Sequence, residues 1–279
     1  MKFSERIGII KAKDSIQVNS IDSELKNGLW NIFHTYYLEN QNERYIKYCN
    51  GHEFILDIWH NFFKKTIDRI PDETRNVKYK LREWFFQSEW YETYDFIEFC
   101  TKNNLFDIDS IITTYNTILE REVSGYRFVN GLISPITNES EINEIDQAIV
   151  DSKDKSLIGV KTHLENSLRM LSDRNSPDYR NSIKESISSV ESICKVLSSK
   201  SKNSLGSALD KIKGKINLHP ALERGFKQIY GYTSDSDGIR HALMEESNCS
   251  FEDAKYMLVS CSAFVNYLIA KGIKSELLE

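Results

Sequence analysis

A chain of 279 residues, 40% hydrophobic and 28% charged, can bury a large core and exceeds the usual size of one domain, so two domains are expected. Its net charge of −5 argues against a surface that binds polyanions everywhere, while leaving room for a local basic patch. No apolar run approaches the roughly 20 residues of a membrane span, and Met1-Lys2-Phe3-Ser4-Glu5-Arg6 has neither the apolar stretch nor the cleavage site of a secretion signal, so a soluble, cytoplasmic protein is expected. The five cysteines (Cys49, Cys100, Cys194, Cys249 and Cys261) are odd in number and never form C-x-x-C, which predicts reduced, mostly buried thiols. His52 and His60 flank Asp57, but eight residues separate them, two helical turns, so a structural zinc site is not expected, and no cofactor is expected either.

In chain order, residues 1–20 read as an ordered arm with Phe3, Ile7, Ile9 and Ile10 as its apolar anchors. Asp22 is placed to cap a helix whose apolar members Leu25, Leu29, Ile32, Phe33 and Tyr36 recur at three and four residues, with Trp30 widening the stripe. A second helix is predicted from Glu53 to Arg69, stopping at Pro71. Residues 76–104 are dense in aromatics, and the acids Glu83, Glu89, Glu92, Asp95 and Glu98 between them favour two core-packing helices over a platform for stacking bases. A helix over 107–123 is expected to stop at Gly125. Tyr126 to Ser134, with Asn130-Gly131 between two β-prone runs, predicts a hairpin, and a helix through Ile142, Ile145, Ala148 and Ile149 follows.

Polar residues 151–156 read as the junction between domains 1–152 and 153–279. Beyond it, 157–171 is helical, and Ser176-Pro177-Asp178 predicts a helix start with a capping hydroxyl and proline in the first turn. That helix puts Tyr179, Ile183, Ile187, Val190, Cys194 and Leu197 on one stripe, Arg180 and Glu191 at its edge, and Glu185 pointing away. Residues 195–227 carry eight Lys or Arg against Asp210 and Glu223. They are either a solvated helix face or a track for a phosphate backbone in which Lys211, Lys213 and Lys215 bind substrate. The last helix, 251–273, is apolar enough to sit centrally in a bundle. Just before it, Ser234-Asp235-Ser236-Asp237-Gly238-Ile239-Arg240-His241-Ala242 reads as a capped loop turning into a helix, with Arg240 and His241 in its first turns.

Phe3-Ser4-Glu5-Arg6-x-Gly8, Leu25-Lys26-Asn27-Gly28-Leu29-Trp30-Asn31 and Gly125-Tyr126-Arg127-Phe128 through Pro135-Ile136-Thr137 resemble the N-terminal domain of AbiJ-type abortive-infection proteins over roughly residues 1–150. Tyr179 to Ser186, Glu191 to Cys194 and the stretch from Ser234 to Ala242 resemble HEPN-like helical domains. This resemblance implies an all-α protein of two helical domains, the first with a small hairpin and the second a HEPN-like bundle. It also implies dimerisation and metal-independent RNA cleavage in phage defence.

Aligning His241 with the His of the HEPN signature puts Asp235 at the polar position and Ser234 where the family carries Arg, with Arg240 adjacent to the His. The resemblance then makes His241 the acid or base and Arg240 the phosphate clamp, while Asp235 either orients His241 or caps the helix. Arg180 and Glu191 join the three lysines as substrate-binding candidates. Two readings stay open: an endoribonuclease acting on RNA, or an inactive module that binds a nucleic acid or a protein partner such as an antitoxin. In both a homodimer is expected, and no membrane partner.

Overall fold

The computed structural model describes residues 3, 7, 9, 16–103, 106–173, 176–198, 205–234 and 249–278. The chain is mainly α-helical, with a single two-stranded hairpin among the described residues. It forms two compact units, Met1–Thr137 and Asn138–Glu279.

In the first unit, α1 (Ser23–Phe33) starts where the Asp22 carboxylate accepts from the Leu25 amide at 2.9 Å, and it runs on through a π-helical turn to Leu38. Helix α2 (His52–Asp57) likewise continues as a π-helical turn over Ile58–Phe62. It ends well before Pro71, because Lys64 takes a left-handed φ of 51° and the Lys65 amide turns back to the Trp59 carbonyl, a closure that ends a helix without glycine. Helices α3 (Thr74–Gln87) and α4 (Trp90–Cys100) carry the aromatic block. Phe85 and Phe96 are fully buried, and Trp84 packs edge-on against Phe62 and Phe63, as a core-packing block should. Tyr79 departs from that reading, at 66% exposure.

Helix α5 (Ile108–Arg121), capped by Asp107, stops before Gly125, because Val123 takes a φ of 57° and the Ser124 amide bonds back to the Leu119 carbonyl. Gly125 has another task. It donates to the Gln17 carbonyl at 2.8 Å, and a Cβ there would lie 3.1 Å from that oxygen. Gln17 is in turn the anchor of the N-terminal arm. Its amide nitrogen donates to the Glu122 carbonyl and its amide oxygen accepts from the Asp22 N–H, both at 2.7 Å. The expected anchors Phe3, Ile7 and Ile9 are exposed instead, and Ile10 lies outside the described residues. The hairpin pairs β1 (Arg127–Val129) with β2 (Leu132–Ser134), with Phe128 opposite Ile133, across Asn130 and Gly131 at φ 47° and 74°, the left-handed pair that a two-residue turn demands.

The second unit opens with α6 (Glu139–Asp151), capped by Asn138, and α7 (Ile158–Ser172). The polar stretch between them thus joins two helices of one unit. Glu141 of α6 binds Lys255 with both oxygens at 3.0 Å, and the Asn266 amide donates to the Glu144 carbonyl. Helix α8 (Tyr179–Leu197) begins two residues later than its sequence suggests. Asp178, not Ser176, caps it by accepting from the Asn181 amide. Ile183, Ile187, Val190, Cys194 and Leu197 are buried as their spacing requires. Beside them a row of small hydroxyls closes the seam to α7, where the Ser167 hydroxyl meets Ser186 at 2.7 Å and Ser182 at 3.0 Å. Small side chains let two helices approach closely, and each hydroxyl here has a partner that offsets its burial.

Helices α9 (Leu205–Ile212), α10 (Pro220–Ser234) and α11 (Phe251–Lys274) complete the unit. Helix α11 is central: Met257, Leu258, Cys261, Phe264, Val265 and Leu268 are buried, and it packs on α6, α7 and α8. At 24 residues, with a mean hydropathy of 1.3 over its most apolar window, α11 has the length and composition to cross a membrane, contrary to the expectation of no such run. Half of that window is buried inside the unit, as in a core helix.

Candidate functional site

The residues the sequence singles out for chemistry are all in the second unit. Asp235, Arg240 and His241 lie outside the described residues. Both flanks of their segment are described. Helix α10 runs to Ser234, so the serine that stands where the signature has Arg is the last residue of a helix. On the far side Ser250 and Asp253 form a capping box at the start of α11: the Ser250 hydroxyl accepts from the Asp253 amide at 3.2 Å, and the Asp253 carboxylate accepts from the Ser250 N–H at 3.0 Å. Near these ends Tyr232 is half-exposed. Its hydroxyl is pushed above the usual range by burial, then by the charges of Asp253 and Cys249.

The basic stretch 195–227 is not a row of free cations. Lys213 Nζ lies 2.7 Å from Asp210 Oδ1 and 3.4 Å from Glu223 Oε1, and Lys227 Nζ lies 3.0 Å and 2.6 Å from the same two oxygens. The quartet pins α10 to α9 through a Glu223 side chain only 8% exposed. Hydrogen bonds from Lys213 and Lys227 hold the Asp210 carboxyl well below its ordinary value, and hydrogen bonds to Asp210 and Glu223 raise the two ammonium groups in turn. Both acids of the stretch are thus spent on two of its eight cations. Lys215 is exposed, and Lys211 lies in the last turn of α9.

Arg180 and Glu191 stand on α8, eleven residues or about 16 Å apart along its axis, too far for one small subsite. Glu191 is 3.9 Å from Lys195, a structural partner of the ordinary kind. The sequence missed a closer pair. The His163 ring of α7 is 2.8 Å from a Glu185 oxygen of α8, with the Asn166 amide at 3.4 Å from the same oxygen, so Glu185 turns toward the neighbouring helix rather than away. Helical periodicity told which stripe was apolar, but not that α7 would bring a histidine to its flank. Among the described residues no three of His, Cys, Asp and Glu gather as a metal ion requires. Burial pushes the Cys194 and Cys261 thiols up to about 12, so both stay protonated and inert at neutral pH.

Compared with known families, residues 1–151 match AbiJ N-terminal domain 4. No curated protein and no solved structure matches the chain.

Proposed function

The chain belongs to the AbiJ N-terminal domain 4 family, whose name points to abortive-infection defence, and from that membership we propose that it is an anti-phage defence protein of the cytoplasm whose HEPN-like second unit cleaves RNA. The observation that carries the reading is this membership combined with Arg240 and His241 adjacent in the segment between α10 and α11. In the proposed reaction the ribose 2′-oxygen attacks the neighbouring phosphorus, its proton passes to a base, and the 5′-oxygen leaves with a proton from an acid. No metal is needed for those steps. His241 serves as acid or base, and Arg240 steadies the charge growing on the non-bridging oxygens. Asp235 orients His241 or caps its helix. Lys211, Lys215 and Arg180 add positive charge to the same unit. A homodimer brings two copies of Arg240 and His241 together, which answers the small number of catalytic groups in one copy.

One observation favours a second reading. Ser234, at the position of the signature Arg, is the last residue of α10, and an inactive module that binds RNA or a protein antitoxin would tolerate that loss. Incubation of the purified chain with mixed single-stranded RNAs in excess chelator separates the two. The first reading predicts cleavage that His241→Ala abolishes, and the second predicts at most salt-sensitive retention. Sedimentation with and without RNA tests the dimer, and a strict monomer in both removes the shared cleft.

A further inference from the structure

The first unit carries a groove that nothing above assigns. Its walls are two helix faces. At about 100° per residue, Asn27, Trp30, Asn31 and His34 share one face of α1 and its π-helical extension, and Arg75, Lys78, Tyr79, Arg82 and Phe86 share one face of α3. Asn27, Trp30, Asn31, His34, Lys78, Tyr79, Arg82 and Phe86 line a cleft of about 620 Å³ between them. Trp30 is almost wholly buried and packs its ring 5.9 Å from that of Phe86, so the floor is aromatic and fixed. The Arg82 guanidinium lies over Phe86, 4.7 Å from the ring centre, which leaves its N–H edge for an acceptor. Tyr79 stands exposed beside it, and Asn27 and Asn31 present amides from the opposite wall.

Two features say what fits. The cations of the α3 face form no ion pair with any described acid, whereas Lys213 and Lys227 of the second unit are clamped by two carboxylates. Glu83, the single acid of α3, lies about a quarter turn away from the groove face. Arg75, Lys78 and Arg82 recur every three or four residues along α3, a row that a phosphate backbone can follow. The exposed Tyr79 ring offers stacking, and amides can bond a base edge or a ribose oxygen. The volume suits about one or two nucleotides, not a duplex.

We infer that the groove between α1 and α3 binds single-stranded nucleic acid, its phosphates on Arg75, Lys78 and Arg82 and a base stacked on Tyr79. The site is in the other unit from His241, and its occupancy does not depend on cleavage.

Fluorescence anisotropy of the full chain with a labelled, mixed-sequence single strand of 2′-O-methyl RNA tests this, because that strand lacks the hydroxyl needed for self-cleavage. Lys78→Ala with Arg82→Ala is expected to weaken binding and to flatten the slope of log affinity against log salt by about 1.4. Tyr79→Ala should weaken it about tenfold, and Tyr79→Phe, which keeps the ring, should restore it. Lys47→Ala, an exposed cation elsewhere in the unit, serves as control and should leave binding within about twofold of the parent. Equal binding of a DNA strand supports recognition through phosphate and base alone, and tighter binding of the 2′-O-methyl strand adds a hydrogen bond donated by the amide wall to the 2′-oxygen. Unchanged binding by folded Lys78→Ala/Arg82→Ala protein, or preference for a duplex, overturns the inference. The 2′-O-methyl strand cannot be cut, so loss of binding by Lys78→Ala/Arg82→Ala is read whether or not His241 cleaves, and failure of this site and failure of cleavage give different results.

Discussion

The two units treat the same kinds of residue in opposite ways. In the first, irregular elements, with π-helical turns at Leu38 and Phe62, close around large rings such as Phe33, Phe54, Phe85 and Phe96, while Lys78 and Arg82 of α3 line a groove with no acid in its walls. In the second, long helices meet along aliphatic stripes and a serine seam, and the densest lysines are locked to Asp210 and Glu223. Rings fill gaps of uneven shape, whereas small hydroxyls suit two regular helices in close approach. Local charge is a poor guide to a binding surface. What decides is whether geometry has already supplied the counter-charge.

The largest effects should come from the cores. Phe96→Ala removes a ring touching Phe33, Phe62 and Trp84, and should lower stability by about 3 to 5 kcal/mol in denaturant unfolding. Ser186→Leu probes the opposite design. It forces a branched chain into the α7–α8 seam and should cost about 1 to 3 kcal/mol, whereas a neutral result would mean the seam has slack.

Glu223→Gln breaks the quartet at its buried member and should cost about 1 to 2 kcal/mol, a modest figure because Lys213 and Lys227 can turn to water. Because the Asp210 carboxyl is held below its ordinary 3.8, the stabilisation it gives is present above that pH and is lost as the pH falls through the lowered value. Acid titration of unfolding should therefore show the parent and Asp210→Asn converging only in strong acid. The smallest effect has the opposite sign. The Tyr115 hydroxyl is buried without a partner, and burial raises it well above the usual range, so Tyr115→Phe should add about 1 kcal/mol to thermal stability.

Elements governed by neighbours in sequence were legible. The Asn130-Gly131 turn, the Asp22 cap and the stripe from Ile183 to Leu197 follow from spacing and side-chain chemistry alone. The C-terminal ends of α2 and α5 were not, because residues other than glycine make the turns that close them. Gly125 serves a bond to Gln17, over a hundred residues earlier, so its use as a helix stop was a misreading of a real constraint. The left-handed turns at Lys64 and Val123 likewise carry no glycine to announce them.

The candidate sites divide in the same way. A count of lysines over 195–227 could not show that Lys213 and Lys227 share two carboxylates. The amides of α1 and the cations of α3 meet only through tertiary packing, about fifty residues apart in sequence.

The central claim, that the first unit holds RNA and the second cleaves it, is tested most directly by steady-state cleavage kinetics on single-stranded RNA in excess chelator. Three proteins are compared: the parent, Lys78→Ala/Arg82→Ala and His241→Ala. The account predicts that the groove variant needs at least about tenfold more RNA for half-maximal rate yet reaches the parent rate at saturation. His241→Ala should bind RNA with parental affinity and turn over none. Equal kinetics in all three proteins, or a parent that binds RNA without cutting it, would contradict the account.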